Sequence, residues 1–281
     1  MLAITGGSGQ LGRAVASELL TRATPNSVRF GTRSPDTLAA FRSAGAQVSL
    51  ADFDDPGSLR SLFEGCDVAL IISGDAPNDK RIAQHAAAFQ SAKSVGVRRI
   101  VYTSFANPVA DSRFLVAPSH LESERMLHNL GLAFTILRNN CYAENIMIEA
   151  ARATGELVQP GSTGRVAYVS RADVARAAVA AMTGSGHENK TYEITGPEAL
   201  DHFEIADRLS RVWRRPILVR NISTEAYAGM LRGRGAPPFI VHLLVSLHDA
   251  IASGEYAKVS SDAKDIIGGP IESASDFLAR S

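Results

Sequence analysis

The sequence has no surplus of either charge: Lys and Arg together number 29, and so do Asp and Glu. Without a basic excess there is no electrostatic drive toward nucleic acid or a membrane surface, so neither is expected as a partner. Cysteine is scarce. Cys66 and Cys141 lie far apart, imply no disulfide framework, and point to a reducing compartment. No apolar run reaches the length of a bilayer span. The first strand pattern begins at residue 2, which leaves no room for a signal peptide, and a cytoplasmic location is expected. Several chemical signatures are missing as well. There is no Cys-x-x-Cys and no His-Glu-x-x-His, and the seven histidines show no i,i+4 pairing, so no metal site is expected. A Gly-x-Ser-x-Gly elbow and a Gly-Lys-Ser/Thr loop are also absent, which argues against hydrolase and P-loop chemistry.

What is present begins at once. Leu2-Ala3-Ile4 reads as a strand and runs into Thr5-Gly6-Gly7-Ser8-Gly9-Gln10-Leu11-Gly12; Leu11, Val15 and Leu19 follow at helical spacing. Gly7, Gly9 and Gly12 fit G-x-G-x-x-G, and Gly6, Gly9 and Gly12 fit G-x-x-G-x-x-G. Such glycines allow a tight turn, backbone approach to a pyrophosphate, and close packing of helix on strand. The helix start adds free N–H groups and a positive dipole end. A bare strand-to-helix turn is the competing reading, and the strand–loop–helix context favours a dinucleotide.

Strands and helices then alternate. Val28–Thr32, Val48–Leu50, Val68–Ile72, Arg99–Thr103 and Ala133–Leu137 read as strands. Between them lie helical stretches over 35–44 with Ser34 as cap, 56–63 with Asp55 as cap, 79–95 closed by Gly96, and one capped by Ser119 that reaches Leu130. Six strands with intervening helices predict an α/β fold with a doubly wound parallel sheet. Beyond Arg138 the pattern loosens. A helix is expected over 141–153, strand pieces at 157–158 and 166–169, a helix over 171–182, a strand over 190–195, a helix over 203–213, a strand over 216–219, and mostly helix from Ser223. Residues 1–150 are thus taken as the NAD(P)-binding Rossmann domain. Residues 151–281 form a mixed segment that returns to the sheet and builds a smaller, mostly helical substrate-binding lobe. The ligand crevice then lies at the carboxyl ends of the strands, under that lobe. The apolar stretch Pro237–Val245 reads as lobe core, a substrate wall or a dimer face, and a homodimer is a possible state.

At the end of the second strand, NAD-binding folds usually carry Asp or Glu for the ribose 2′-hydroxyl. Here Gly31-Thr32-Arg33-Ser34 offers no carboxylate, and Arg33 suits a 2′-phosphate. This favours NADPH, the alternative being a solvated arginine. Asp52 and Phe53 are candidates to hold the adenine, with a capping role open for Asp52.

With these segments in view, the chain resembles an atypical short-chain dehydrogenase/reductase of the NmrA-like type, nearest the bacterial NADPH-dependent quinone oxidoreductase and triphenylmethane reductase group. The likeness rests on Ile4–Gly12, Val101-Tyr102-Thr103-Ser104, Leu137-Arg138-Asn139-Asn140-Cys141-Tyr142, His187–Tyr192, and Asp249-Ala250-Ile251 with Ser253-Gly254-Glu255. It runs nearly the whole length. It implies that the glycine loop, including Gln10 and Leu11, holds pyrophosphate and that Arg33 holds the 2′-phosphate. Ser73 and Gly74 would line the ribose and diphosphate, and Thr103 and Ser104 the nicotinamide side. Asn139, Asn140 and Tyr142 would shape the nicotinamide pocket.

One departure bears on the chemistry. Ordinary short-chain dehydrogenases use Tyr-x-x-x-Lys. None of the six tyrosines here has that lysine; Tyr102, Tyr142 and Tyr168 are followed at that spacing by Ala106, Ile146 and Ala172. Related NmrA-like proteins often carry a lysine where this chain has His120. That histidine can donate a proton near neutral pH, stack on a flat substrate, or be a plain polar residue of a first helical turn. Candidate catalytic residues are therefore His120 and Tyr142. The expected activity is hydride transfer from NADPH to a flat electrophilic, aromatic or quinone-like acceptor, whose own electronics make a dedicated acid optional. The alternative is a non-catalytic NADP(H) sensor that changes partner binding with redox state.

Overall fold

The computed structural model of the chain describes residues 1–280. Its strands are β1 (Leu2–Ile4), β2 (Val28–Thr32), β3 (Gln47–Leu50), β4 (Val68–Ile72), β5 (Arg99–Phe105), β6 (Ala133–Asn139), β7 (Glu156–Gln159), β8 (Lys190–Ile194) and β9 (Leu218–Asn221). Seven of them form one parallel sheet in the order β3-β2-β1-β4-β5-β6-β8, while β7 and β9 pair apart in a small parallel ribbon. The order reverses between β1 and β4, so the crevice of a doubly wound sheet opens at their carboxyl ends. The strand from the second half, β8, extends the sheet beyond the six read as its core.

The helices are α1 (Gln10–Leu20), α2 (Ala39–Ser43), α3 (Pro56–Phe63), α4 (Asn78–Ser94), α5 (Ala117–His128) and α6 (Ile148–Thr154). They continue with α7 (Arg171–Thr183), α8 (His202–Trp213), α9 (Thr224–Gly233), α10 (Pro238–Ala252), α11 (Asp262–Ile267) and α12 (Ala274–Ala279). Side-chain alternation along the strands sorts them into two layers. Leu70 and Val101 join Leu11, Val15 and Leu19 of α1 and Val174 and Val179 of α7 on one face. Ala69, Ile71 and Ile100 join Leu62 of α3, Phe89 of α4 and Leu127 of α5 on the other. A third core, with Phe114, Tyr168, Leu209 and Tyr256, binds the lobe together. Each such side chain removed from water is worth about 2 kcal/mol, which is what fixes the layers. Among the described residues no helix is long and apolar enough to cross a membrane.

Local expectations meet the structure unevenly. Asp55 does cap α3, its carboxylate accepting from Gly57 N at 2.9 Å. Ser34 caps nothing. Its carbonyl takes both the backbone and the hydroxyl of Thr37, which winds 35–38 as a 3-10 turn before the short α2. Ser119 lies inside α5 rather than at its start, because its hydroxyl turns back to the Val116 carbonyl at 2.7 Å. The stretch 166–169 is no strand; its backbone bonds in turn to Leu200, Tyr256 and Cys141, one partner segment after another. The helix expected over 141–153 splits into a 3-10 turn at 143–145 and α6.

Candidate functional site at the carboxyl edge of the sheet

The glycine loop is shaped by contacts that only glycine permits. Gly6 turns with φ +64°, and Gly7 N donates to the Gly31 carbonyl at 2.9 Å. A Cβ on Gly12 would run into the carbonyl oxygen of Gly6, so α1 can approach the loop only with hydrogen at that position. Gly9 stands at the N-cap of α1, and no side chain caps the first turn. The N–H groups of Gln10, Leu11 and Gly12 therefore have no intrahelical partner and face the loop. Leu11 itself is buried in the core, so only its backbone serves the site, and the Gln10 side chain is exposed. Ser8 accepts from Thr32 Oγ1 at 2.8 Å, and Arg13 clamps the Ser8 and Thr37 carbonyls at 3.0 Å each.

Beside the loop lies a crevice of about 550 Å³ that brings together Gly6, Ser8, Gly9, Arg33, Asp52 and Phe53. Ser73 and Gly74 form its opposite lip. Arg33 is exposed there and, among the described residues, makes no hydrogen bond or ion pair, though its charge helps lower the Asp54 carboxyl. Asp52 faces the crevice while its carboxylate holds a turn, accepting from Asp54 N at 3.0 Å. Sequence reasoning missed Lys80 and Gln84, one turn apart on α4. Both reach Asp54, at 2.8 and 2.9 Å, and their hydrogen bonds hold its carboxyl below the usual range. Their i,i+4 spacing on a polar helix face was the available signal, and many solvated helix faces share it. The crevice thus suits a dinucleotide: donors for pyrophosphate at one end, and an unpaired guanidinium for a further phosphate at the other. Arg33→Ala is expected to weaken NADPH binding about 10- to 100-fold, the worth of a charge-assisted bond, and to leave NADH nearly unchanged; calorimetry with both nucleotides checks this.

Further along the edge, Thr103 and Ser104 point to opposite faces. Thr103 Oγ1 accepts from Ser73 N at 2.9 Å and so sets the lip of the crevice. The Ser104 hydroxyl donates to Glu124 at 2.6 Å, away from that lip. Glu124 is buried and grips Arg138 bidentately at 2.7 and 3.0 Å; Arg138 also reaches Glu193 at 3.1 Å. This chain stitches α5, β5, β6 and β8. Glu124→Ala strands the Arg138 guanidinium and is expected to cost about 3 kcal/mol, read by denaturant unfolding.

Asn140 is structural: its side chain donates to the Tyr256 carbonyl at 3.1 Å and accepts from Cys141 N at 2.7 Å. Asn139 donates to the Tyr142 hydroxyl at 3.4 Å and leaves its own Oδ1 buried without a partner. Tyr142 is half-buried under the Arg171 guanidinium, 4.9 Å from the ring, and burial pushes its phenol up to about 12. His120 is buried. Its Nδ1 lies 3.0 Å from the Tyr102 hydroxyl and its Nε2 lies 3.3 Å from Arg81 Nη1. Arginine only donates, so Nε2 accepts and Nδ1 carries the proton. Burial first, then Arg81 and His85, hold the His120 pKa well below its ordinary value. The proton-donating imidazolium read from the sequence is therefore corrected to a neutral ring with both nitrogens engaged. It adjoins the edge through Phe105, ring centres 6.2 Å apart.

At the end of β6 a second cavity of about 690 Å³ opens into the lobe, walled by Cys141, Ile146, Tyr168, Leu247 and Ile251. Leu244 and Leu247 come from α10, so the apolar stretch of that helix is a cavity wall as well as lobe core. Glu255 straps the loop after β5 to this lobe, accepting from Asn107, Ser112 and Arg113 N at 3.0, 2.5 and 2.9 Å.

A family model described as NAD(P)H-binding matches residues 6–184, most of the sheet and the whole glycine loop. The chain belongs to this NAD(P)H-binding family. Within it, the chain is 31% identical to quinone oxidoreductase 2 of Escherichia coli over 99% of its own length and 98% of that protein. It is 26% identical to the NAD(P)H azoreductase of Xenophilus azovorans, covering 99% and 96%. The solved triphenylmethane reductase of a Citrobacter species, in complex with NADP(H), superposes with a TM-score of 0.93 at 30% identity, covering 100% of this chain and 99% of that one. The chain thus carries a Rossmann-type parallel sheet and superposes over its full length on an NADP(H)-bound reductase.

Proposed function

We propose that the chain is an NADPH-dependent oxidoreductase that reduces flat electrophilic acceptors of the quinone or dye class. The observation that carries this is a single continuous edge. An uncapped glycine loop and the Arg33 guanidinium stand at one end, and a largely apolar cavity opens at Cys141, just past β6, at the other. Similarity to reductases of quinones, azo compounds and triphenylmethane dyes supports the same reading.

Bound in the crevice, NADPH would supply hydride, that is, one proton with two electrons. The chain's residues supply position. Gly6 to Gly12 would hold its pyrophosphate and Arg33 its 2′-phosphate, while Thr103 fixes the lip at Ser73 and the apolar cavity wall would pack on the acceptor. Tyr142 holds its proton at neutral pH. Its oxygen accepts from Asn139, which leaves the O–H free to donate to an acceptor oxygen. His120 is a positioning residue that packs Phe105 through the Arg81–His120–Tyr102 chain.

The test is loss of NADPH absorbance against quinones, azo dyes and triphenylmethane dyes. Turnover is expected on at least one class, and tight NADPH binding without turnover on any would favour the sensor reading instead. Tyr142→Phe is expected to lower kcat about 10- to 100-fold with NADPH affinity intact. His120→Ala should lower stability yet leave the pH profile between 6 and 8 unchanged. A lost titration there would restore His120 as an acid.

A further inference from the structure

The lobe cavity is walled from Cys141 onward, and one side chain from another element pins the chain there. Tyr142 follows β6, and its backbone pairs with Val169. Ala143 N donates to the Val169 carbonyl at 2.9 Å, and Asn145 N to the Tyr142 carbonyl at 2.9 Å. Just beyond Val169, Arg171 opens α7. Its backbone N–H donates to the two Glu144 carboxylate oxygens, at 3.0 and 3.2 Å. Its guanidinium donates to Asn145 Oδ1 at 2.7 Å and lies 3.7 Å from Glu144. Glu144 and Asn145 are themselves part of the cavity wall. Held in this way, the guanidinium sits over the Tyr142 ring, 4.9 Å from its centre.

The placement does more than pair two charges. The side-chain contact with Glu144 is loose, and the short bond goes to the neutral amide of Asn145. The cation is thus aimed at the face of the ring, where its field meets the π electrons. The Arg171 side chain is only 17% exposed, so water screens its charge weakly. Burial raises the Tyr142 phenol most. The Asn139 hydrogen bond and the Arg171 charge pull the other way, while Glu144 and Cys141 add to the rise. The Cys141 thiol stays protonated, pushed up to about 12 by burial. Arg171 is therefore the cation that offsets burial at this phenol.

We propose that Arg171 is a positioning residue for the reduction and acts through Tyr142. Its guanidinium fixes the ring in the chain between Cys141 and Glu144 and stabilises the negative charge that appears on Tyr142 as it gives up its proton. In that step the acceptor is reduced and NADPH oxidised. Hydride forms one new bond to the acceptor and the Tyr142 proton forms the other. The phenol O–H breaks to leave a phenolate, which takes a proton back from solvent. This rests on the reading of Tyr142 as the proton donor. It adds the residue that lets a buried phenol give its proton.

Two measurements test it. The first needs no acceptor. The full chain is labelled with 3-fluorotyrosine and titrated by fluorine NMR, the Tyr142 signal being assigned by its loss in Tyr142→Phe. Arg171→Gln is expected to move that titration about one pH unit higher, and Arg171→Lys, which keeps the charge, less than half as far. No movement in Arg171→Gln, or equal movement in both variants, would overturn the proposal. Arg171→Met, which keeps apolar packing on the ring without the charge, serves where Arg171→Gln does not fold. The second is a double-mutant cycle on kcat for quinone reduction. Arg171→Gln should lower kcat about tenfold, with NADPH affinity changed less than about threefold, and should add less than about twofold to Tyr142→Phe. A full tenfold loss in the Tyr142→Phe background would assign Arg171 to the fold alone and sink the inference. If Tyr142→Phe leaves kcat untouched while the fluorine titration moves, the donor reading fails, and the role in reduction with it, but the coupling of charge to ring stands.

Discussion

Gly12→Ala abolishes nicotinamide nucleotide binding and destabilises the fold by about 2–3 kcal/mol. The added methyl group has nowhere to go. It meets the carbonyl oxygen and carbon of Gly6 and the Cα of Gly7, all backbone atoms of the loop itself. Either α1 moves outward, taking Leu11, Val15 and Leu19 from the core, or the loop opens and its N–H groups no longer converge. Both outcomes remove the pyrophosphate cradle. Gly229→Ala is the matched control, since nothing lies within 4 Å of a Cβ there and alanine favours the helix that residue occupies. Calorimetry for binding and denaturant unfolding for stability separate the two positions. Nucleotide affinity retained in Gly12→Ala would show that the cradle is not where the nucleotide sits.

The second large effect is acid unfolding above the range where carboxylates titrate. Four buried histidines have pKa values lowered chiefly by burial: His85 to about 3, His202 and His248 to about 4, and His120 well below its usual value. In the unfolded chain each binds its proton near pH 6.5, so below that the unfolded state holds more protons. The stability these rings contribute is present above about pH 6.5 and is lost as pH falls toward 3–4. Each costs about 1.4 kcal/mol per pH unit, and the four together about 5 kcal/mol per unit. Against a net stability of about 5–15 kcal/mol, unfolding is expected between roughly pH 5.5 and 4. Glu255 adds to this at lower pH. Burial raises its pKa, but its hydrogen bonds outweigh that and hold it below the usual range, so its strap weakens as it protonates. A thermal midpoint followed from pH 7 to 4 checks the prediction. A flat profile down to pH 5 would contradict it.

Much of the fold was legible because it depends on local signals. Continuous apolar strands, Asp55-Pro56 at a helix start, Gly96 with φ +86° and the Gly6–Gly12 spacing are all written within a few residues. Arg33 was legible for the same reason, since it follows a strand end directly. Residues whose roles arise from long-range placement were not. Lys80 and Gln84 join the crevice only because α4 crosses β3's loop at Asp54. Ser104 reads as a nicotinamide contact beside Thr103, yet strand alternation turns it to Glu124. His120 reads as a proton donor, a stacking group or a polar first-turn residue. Tyr102 and Phe105 of β5 and Arg81 of α4, two other segments, enclose it. Gln159 of the small ribbon and His248 of α10 come to line one cavity only through long-range packing, and no local pattern announces that.

The most direct measurement is a calorimetric titration of the unmodified protein with NADPH and with NADH. NADPH should bind at least tenfold tighter, because only its 2′-phosphate engages the guanidinium left open at the end of β2. Equal affinities, or no heat with either nucleotide, would contradict the account.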